Sequence, residues 1–154
     1  MRSSGTRQKT PRPLARSLYL KMKNSDLLIK ALKSQESSVR DSAAIELMDL
    51  GEARAVEPLI KAIQAPENVN HRGTLVYALS GFDCSNYLSL LVELVLTGNY
   101  EVAAGAYSII EETTLKESHV VEINNLLRSI NKSELKLKHN IEGYEALMEL
   151  VSVN

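Results

Sequence analysis

The feature that most restricts the fold is a repetition. Leu28-Ile29-Lys30-Ala31 and Leu59-Ile60-Lys61-Ala62 are identical blocks set 31 positions apart, and Glu36 and Glu67 keep the same interval in the turns that follow. Farther along, "VRDSAAIELMDLGEARAVEPLIKAI" aligns with "HRGTLVYALSGFDCSNYLSLLVELV" at an offset of 32. Under that offset Arg40 meets Arg72, Leu47 meets Leu79 and Leu50 meets Phe82, while Val56, Leu59, Ile60 and Ile63 meet Leu88, Leu91, Val92 and Val95. A third, fainter copy runs through "YEVAAGAYSIIEETT" and then Val120, Ile123, Leu126, Leu127 and Ile130. A period of 31 to 32 residues marks a chain built by stacking one unit, each copy burying its apolar side against its neighbours.

Each unit reads as two helices. Val39, Ala43, Ala44, Leu47 and Leu50 recur at three- and four-residue steps, the spacing of one helical stripe. Gly51 follows, where a helix end favours a residue that accepts positive φ. Pro58 fits a first helical turn because its missing N–H has no use there. Val56, Leu59, Ile60 and Ile63 make the second stripe. Turn-forming residues separate the units at "APEN" and at Thr97-Gly98-Asn99-Tyr100, and no sustained alternating strand pattern competes. With six Tyr, one Phe and no Trp, the core must be filled by aliphatic side chains, which suits narrow helices.

The block from Val39 to Ile63 resembles a HEAT-like repeat of the kind found in phycobilisome-lyase-type proteins. The resemblance is carried by Val39-Arg40, Ala43-Ala44, Leu47, Leu50-Gly51 and Ala55-Val56-Glu57-Pro58-Leu59-Ile60. The second copy departs from it by placing Asp83 where the turn glycine would be. The resemblance implies an all-α fold, a short right-handed α-solenoid of stacked helix pairs whose second helices line the concave side.

The expected organisation is a disordered basic tail over residues 1–12 and one solenoid domain over 13–154. Its units fall at about 13–35, 36–66, 67–98 and 99–131, followed by a terminal helix at 133–152. Residues 1–23 admit three readings: a first solenoid helix from Pro13 to Met22, an Arg-rich and acid-free targeting segment, or sequence upstream of a start at Met22. At the other end Leu137, Ile141, Tyr144, Met148 and Val151 form one stripe, which reads as a helix capping the last repeat.

Charge divides unevenly along the chain. Residues 1–23 hold seven of the 18 basic residues and no acid, so residues 24–154 carry 11 basic against all 19 acidic ones, a net −8. That field favours a cationic partner and repels nucleic acid. Binding of the HEAT-like DNA-glycosylase type would need a basic concave face, and only the Arg-rich segment offers cations in number.

No constellation of catalytic residues stands out. Cys84 is the one cysteine, so no internal disulfide forms, a reducing, cytoplasmic setting fits best, and no His lies near it in sequence. His71, His119 and His139 are scattered without the pairing a zinc site needs. No metal, no cofactor and no catalytic residue are therefore expected. No run of about 18 apolar residues exists to cross a membrane.

One feature exceeds the needs of the fold. Beside its core stripe, the segment "YLSLLVELVL" carries a second apolar row of Tyr87, Leu90 and Leu94, where the preceding unit has Ala55, Pro58 and Ala62. The row either fills the gap to neighbouring helices or presents a concave patch to a partner. As a patch it would combine Glu57, Lys61, Tyr87, Leu90, Glu93, Leu94 and Arg128 into a protein-binding face. The expected function is thus a non-enzymatic protein–protein interaction module. The alternatives are an accessory subunit of a chromophore-lyase-type enzyme, which the resemblance suggests, or an inhibitor of a basic toxin.

Overall fold

The computed structural model describes residues 24–153, which form eight α-helices and no β-strand. The three readings of residues 1–23, and the basic tail at 1–12, lie outside the described residues. Helix α1 is described over residues 24–31. It is followed by α2 (Ser37–Leu50), α3 (Val56–Gln64), α4 (Gly73–Leu79), α5 (Leu88–Thr97), α6 (Tyr100–Glu112), α7 (Glu117–Ser129) and α8 (Lys138–Ser152).

Local chemistry sets where the helices start and stop. Gly51 ends α2 in the left-handed region at φ 60°, and its N–H donates to the Met48 carbonyl at 2.9 Å. The equivalent turn of the next unit has Asp83 at the aligned position, and its Gly81 is not in the left-handed region. There Asp83 accepts the Ser85 N–H at 3.0 Å, which turns the chain into a short 3-10 helix at Ser85–Tyr87. Asn99 caps α6 by accepting the Val102 N–H at 3.0 Å.

The helices stack in series in two layers. In the first layer α2 packs on α4, α4 on α6 and α6 on α8; in the second, α5 packs on α7. Contacts of α3 with α4, α5 with α6 and α7 with α8 join the layers. The core is aliphatic, as the scarcity of aromatics requires. Leu47, Leu59, Ile63, Leu79, Leu88, Leu91, Val95, Ile123 and Leu127 are all fully buried, each contributing on the order of 1.5–3 kcal/mol through loss of apolar surface to water. Arg40, the cation of the repeat motif, is buried too. Its Nη1 donates to the carbonyls of Ser34 at 2.7 Å and Gln35 at 3.0 Å, fastening α2 to the loop before it.

Two expected stripes are shifted. Val39 opens the repeat motif but is 44% exposed, so the buried face of α2 is Arg40, Ala43, Ala44 and Leu47. In α8, Leu137 and Met148 are exposed, and the buried positions are Asn140, Leu147 and Val151. The cause is contact with α5. Asn140 hydrogen-bonds to backbone there, and Gly143 lies so close that an added Cβ would come within 2.6 Å of Val95 Cγ1. Helix α8 thus packs against α5, α6 and α7 together.

Candidate docking surface

The second layer carries a groove of about 620 Å³ running from the end of α3 across α5 to α7. Its apolar lining comes from Tyr87, Leu90, Val92 and Leu96 on the α5 side and from Leu126 and Ile130 on the α7 side. Its polar rim is Gln64, Asn86, Ser89, Glu93 and Thr97. Side chains of successive repeats are tied together along it. The Tyr87 hydroxyl donates to Glu57 Oε1 at 2.5 Å, and the Ser89 hydroxyl to Glu122 Oε1 at 2.7 Å. Its bond to the Glu57 carboxylate, ahead of desolvation, holds the Tyr87 phenol above its ordinary pKa.

Tyr87, Leu90 and Glu93 come together in this groove, and Glu57 joins them through the Tyr87 hydroxyl. Lys61 is exposed over a neighbouring depression between α1 and α3, lined by Ile29, Leu32, Pro58 and Ala62. Arg128 is exposed on α7 but does not line the groove, whose α7 wall is Leu126. Leu94 does not belong to the patch: it is 1% exposed and part of the core. Helix α5 is enclosed by α6, α7 and α8, so most of its circumference is interior and its second apolar row is partly packing. Leu126 and Ile130 were legible only as a core stripe, and their partial exposure depends on where α7 lies beside α5.

The acidity expected over the whole body is concentrated away from the groove. The first-layer helices α2, α4, α6 and α8 hold nine carboxylates against two cations, Arg40 and Lys138. The second-layer helices α3, α5 and α7 hold four carboxylates, Glu57, Glu93, Glu117 and Glu122, against Lys61 and Arg128. The second-layer helices are thus less acidic, at −2 against −7, and Glu93 is the charged side chain in the groove lining.

Cys84 sits in the turn between α4 and α5, in a depression that also receives His119 from α7. The fold supplies the neighbouring His that the sequence order hid. The thiol is nonetheless committed: it donates to the Leu79 carbonyl at 3.4 Å, and burial pushes its pKa up to about 11. His119 accepts the Lys116 N–H through Nδ1 at 3.3 Å. At neutral pH the pair offers a buried thiol and not a thiolate nucleophile.

Serial stacking of helices in two layers around an aliphatic core defines an all-α repeat protein. The sequence profile of HEAT repeats matches residues 22–117, and the chain belongs to that family. The match takes in α1 through α6 and leaves most of α7 and all of α8 beyond it. No curated protein and no solved structure shows significant similarity to the chain. Proteins built from HEAT repeats are generally protein-interaction modules.

Proposed function

We propose that this protein is a non-enzymatic interaction module that docks a partner protein in the groove formed by α3, α5 and α7. The observation that carries the reading is the apolar lining of that groove. Tyr87, Leu90, Leu126 and Ile130 are half-buried along an open trough, whose lining also includes the core residues Val92 and Leu96, where a solenoid needs only a solvated surface. Anchoring side chains of a partner gain most in such a place, where an apolar floor is ringed by polar groups that exclude water. The groove lining is mostly apolar, with Glu93 its charged member, which suits a partner segment whose contact residues are mainly apolar.

The test is capture of partner proteins by the full chain against a Leu90→Arg variant, with Ser108→Arg on the exposed side of α6 as control. Leu90→Arg is expected to weaken capture by about tenfold or more, because a desolvated, unpaired charge replaces an apolar contact. Ser108→Arg should leave it unchanged. Equal capture by wild type and Leu90→Arg, both folded by circular dichroism, would refute the assignment.

A further inference from the structure

A second surface lies on the opposite layer. Between α6 and α8 the structure has a cleft of about 200 Å³ with small residues, Ala103, Ala104, Gly143 and Ala146, along its floor. Its walls are aromatic: Tyr100, Tyr107 and His139. Tyr100 is 72% exposed, and its ring meets that of His139 edge to face at 6.0 Å between centroids. His139 is itself held in place by Nε2, 3.0 Å from the Gly98 carbonyl. Tyr100 is exposed, Tyr107 and His139 are half-buried, and the small residues beside them leave room for one long side chain of another molecule.

Charge states which kind. Glu142 lines the cleft, and Glu111 of α6 and Glu149 of α8 lie close enough to act on the Tyr107 hydroxyl. Burial, and after it those two carboxylates, raises the Tyr107 pKa, which places negative potential at the cleft edge. Glu142 is paired with Lys138 at 3.4 Å, an exposed pair one helical turn apart, the kind of pair worth little in water. Among the described residues, no cation lies within ion-pair distance of Glu111 or Glu149. Aromatic faces and unpaired carboxylates favour the same ligand, a cation on a flexible stem.

We infer that the cleft between α6 and α8 is a docking site for an arginine- or lysine-bearing segment of a partner protein, whose cationic side chain lies between Tyr100 and Tyr107 with its charge directed to the carboxylates of α6 and α8. This surface is distinct from the second-layer groove and does not depend on it. The cationic partner expected from the net charge of the body belongs on this outer layer.

The test titrates the full chain with a fluorescent nona-arginine peptide and a glycine-serine peptide of equal length. Wild type should bind the first, more weakly as salt rises, and not the second. Tyr100→Ala removes a ring and no charge, and is expected to weaken binding about two- to fivefold, the range of a cation–aromatic contact at an accessible site. Glu149→Gln should weaken it comparably, whereas Glu93→Gln in the groove and Leu90→Arg should change it by less than a factor of about two. Because Tyr100, Glu149 and Glu93 are exposed, these variants keep the fold. Unchanged affinity in Tyr100→Ala would leave only diffuse charge attraction and overturn the inference, as would equal losses from Glu93→Gln and Glu149→Gln. Tighter peptide binding by a full chain carrying Arg7→Gln, Arg12→Gln and Arg16→Gln would assign the cleft to this chain's own basic segment, and so overturn the partner reading.

Discussion

The side-chain amide of Asn140 is bound to the backbone carbonyl of Val95, 45 residues earlier, at 2.9 Å. The same nitrogen lies 3.0 Å from the Gly98 carbonyl, so one amide on α8 satisfies two acceptors at the end of α5. Carbonyls in the last turn of a helix have no partner within it, and burial would leave them unpaired without such a donor.

Replacing Asn140 with Ala should therefore cost about 1–3 kcal/mol, the desolvation penalty of the buried Val95 acceptor left without that donor, while the Gly98 carbonyl keeps His139 Nε2 at 3.0 Å. Asn140→Asp should cost more, since it presents a carboxylate to two carbonyls. Urea denaturation followed by circular dichroism measures both. An Asn140→Ala midpoint equal to wild type would mean that α8 is held by its apolar contacts alone.

Leu59 and Ile63 lie fully buried on α3, against α4. Truncating either to Ala should destabilise the protein by about 2–5 kcal/mol through lost apolar burial and the cavity left behind. A loss below about half a kcal/mol, the range of ordinary surface changes, would place them outside the core. The exposed residues Glu57, Lys61, Glu93 and Arg128 should each tolerate Ala within that smaller range.

Cys84 yields a prediction in pH. Its pKa in the folded protein is about 11, above the roughly 8.5 of a thiol in an unfolded chain. Between those values the unfolded chain has released the proton that the folded one keeps. Stability should accordingly fall as pH rises from about 8.5 towards 11, with no contribution from this group below that window. Alkylation by iodoacetamide at pH 8 should be about a hundredfold slower in the folded protein than in urea, because the thiolate fraction is smaller by that order. Rates within tenfold of each other would show that the thiol is accessible and ionised.

The parts of the fold legible in the sequence were those written in apolar periodicity. The stripes of Leu59, Ile60 and Ile63, and of Leu88, Leu91, Val92 and Val95, are buried as their spacing requires. The buried face of α8 is turned from its apolar stripe, of which Val151 is buried and Ile141 and Tyr144 half-buried, because its packing is set by Asn140 and Gly143. One gives hydrogen bonds and the other gives closeness, and neither registers as hydrophobic. Leu94 and Leu90 belong to the same apolar row, yet only Leu90 reaches the groove, since the position of α7 and α8 around α5 decides which side of a wholly apolar helix meets water. Net charge could be counted from the chain, but its concentration in one layer depends on how alternate helices sort into the stack.

That sorting gives the molecule a front and a back. A positively charged body drawn in by the field would meet α2, α6 and α8 first, with the trough of Leu90 and Leu126 still turned to bulk water. The two arrivals need not compete for space. With both proposed surfaces occupied, one neighbour would be held by charge and a second by the trough, which is the geometry of a bridge.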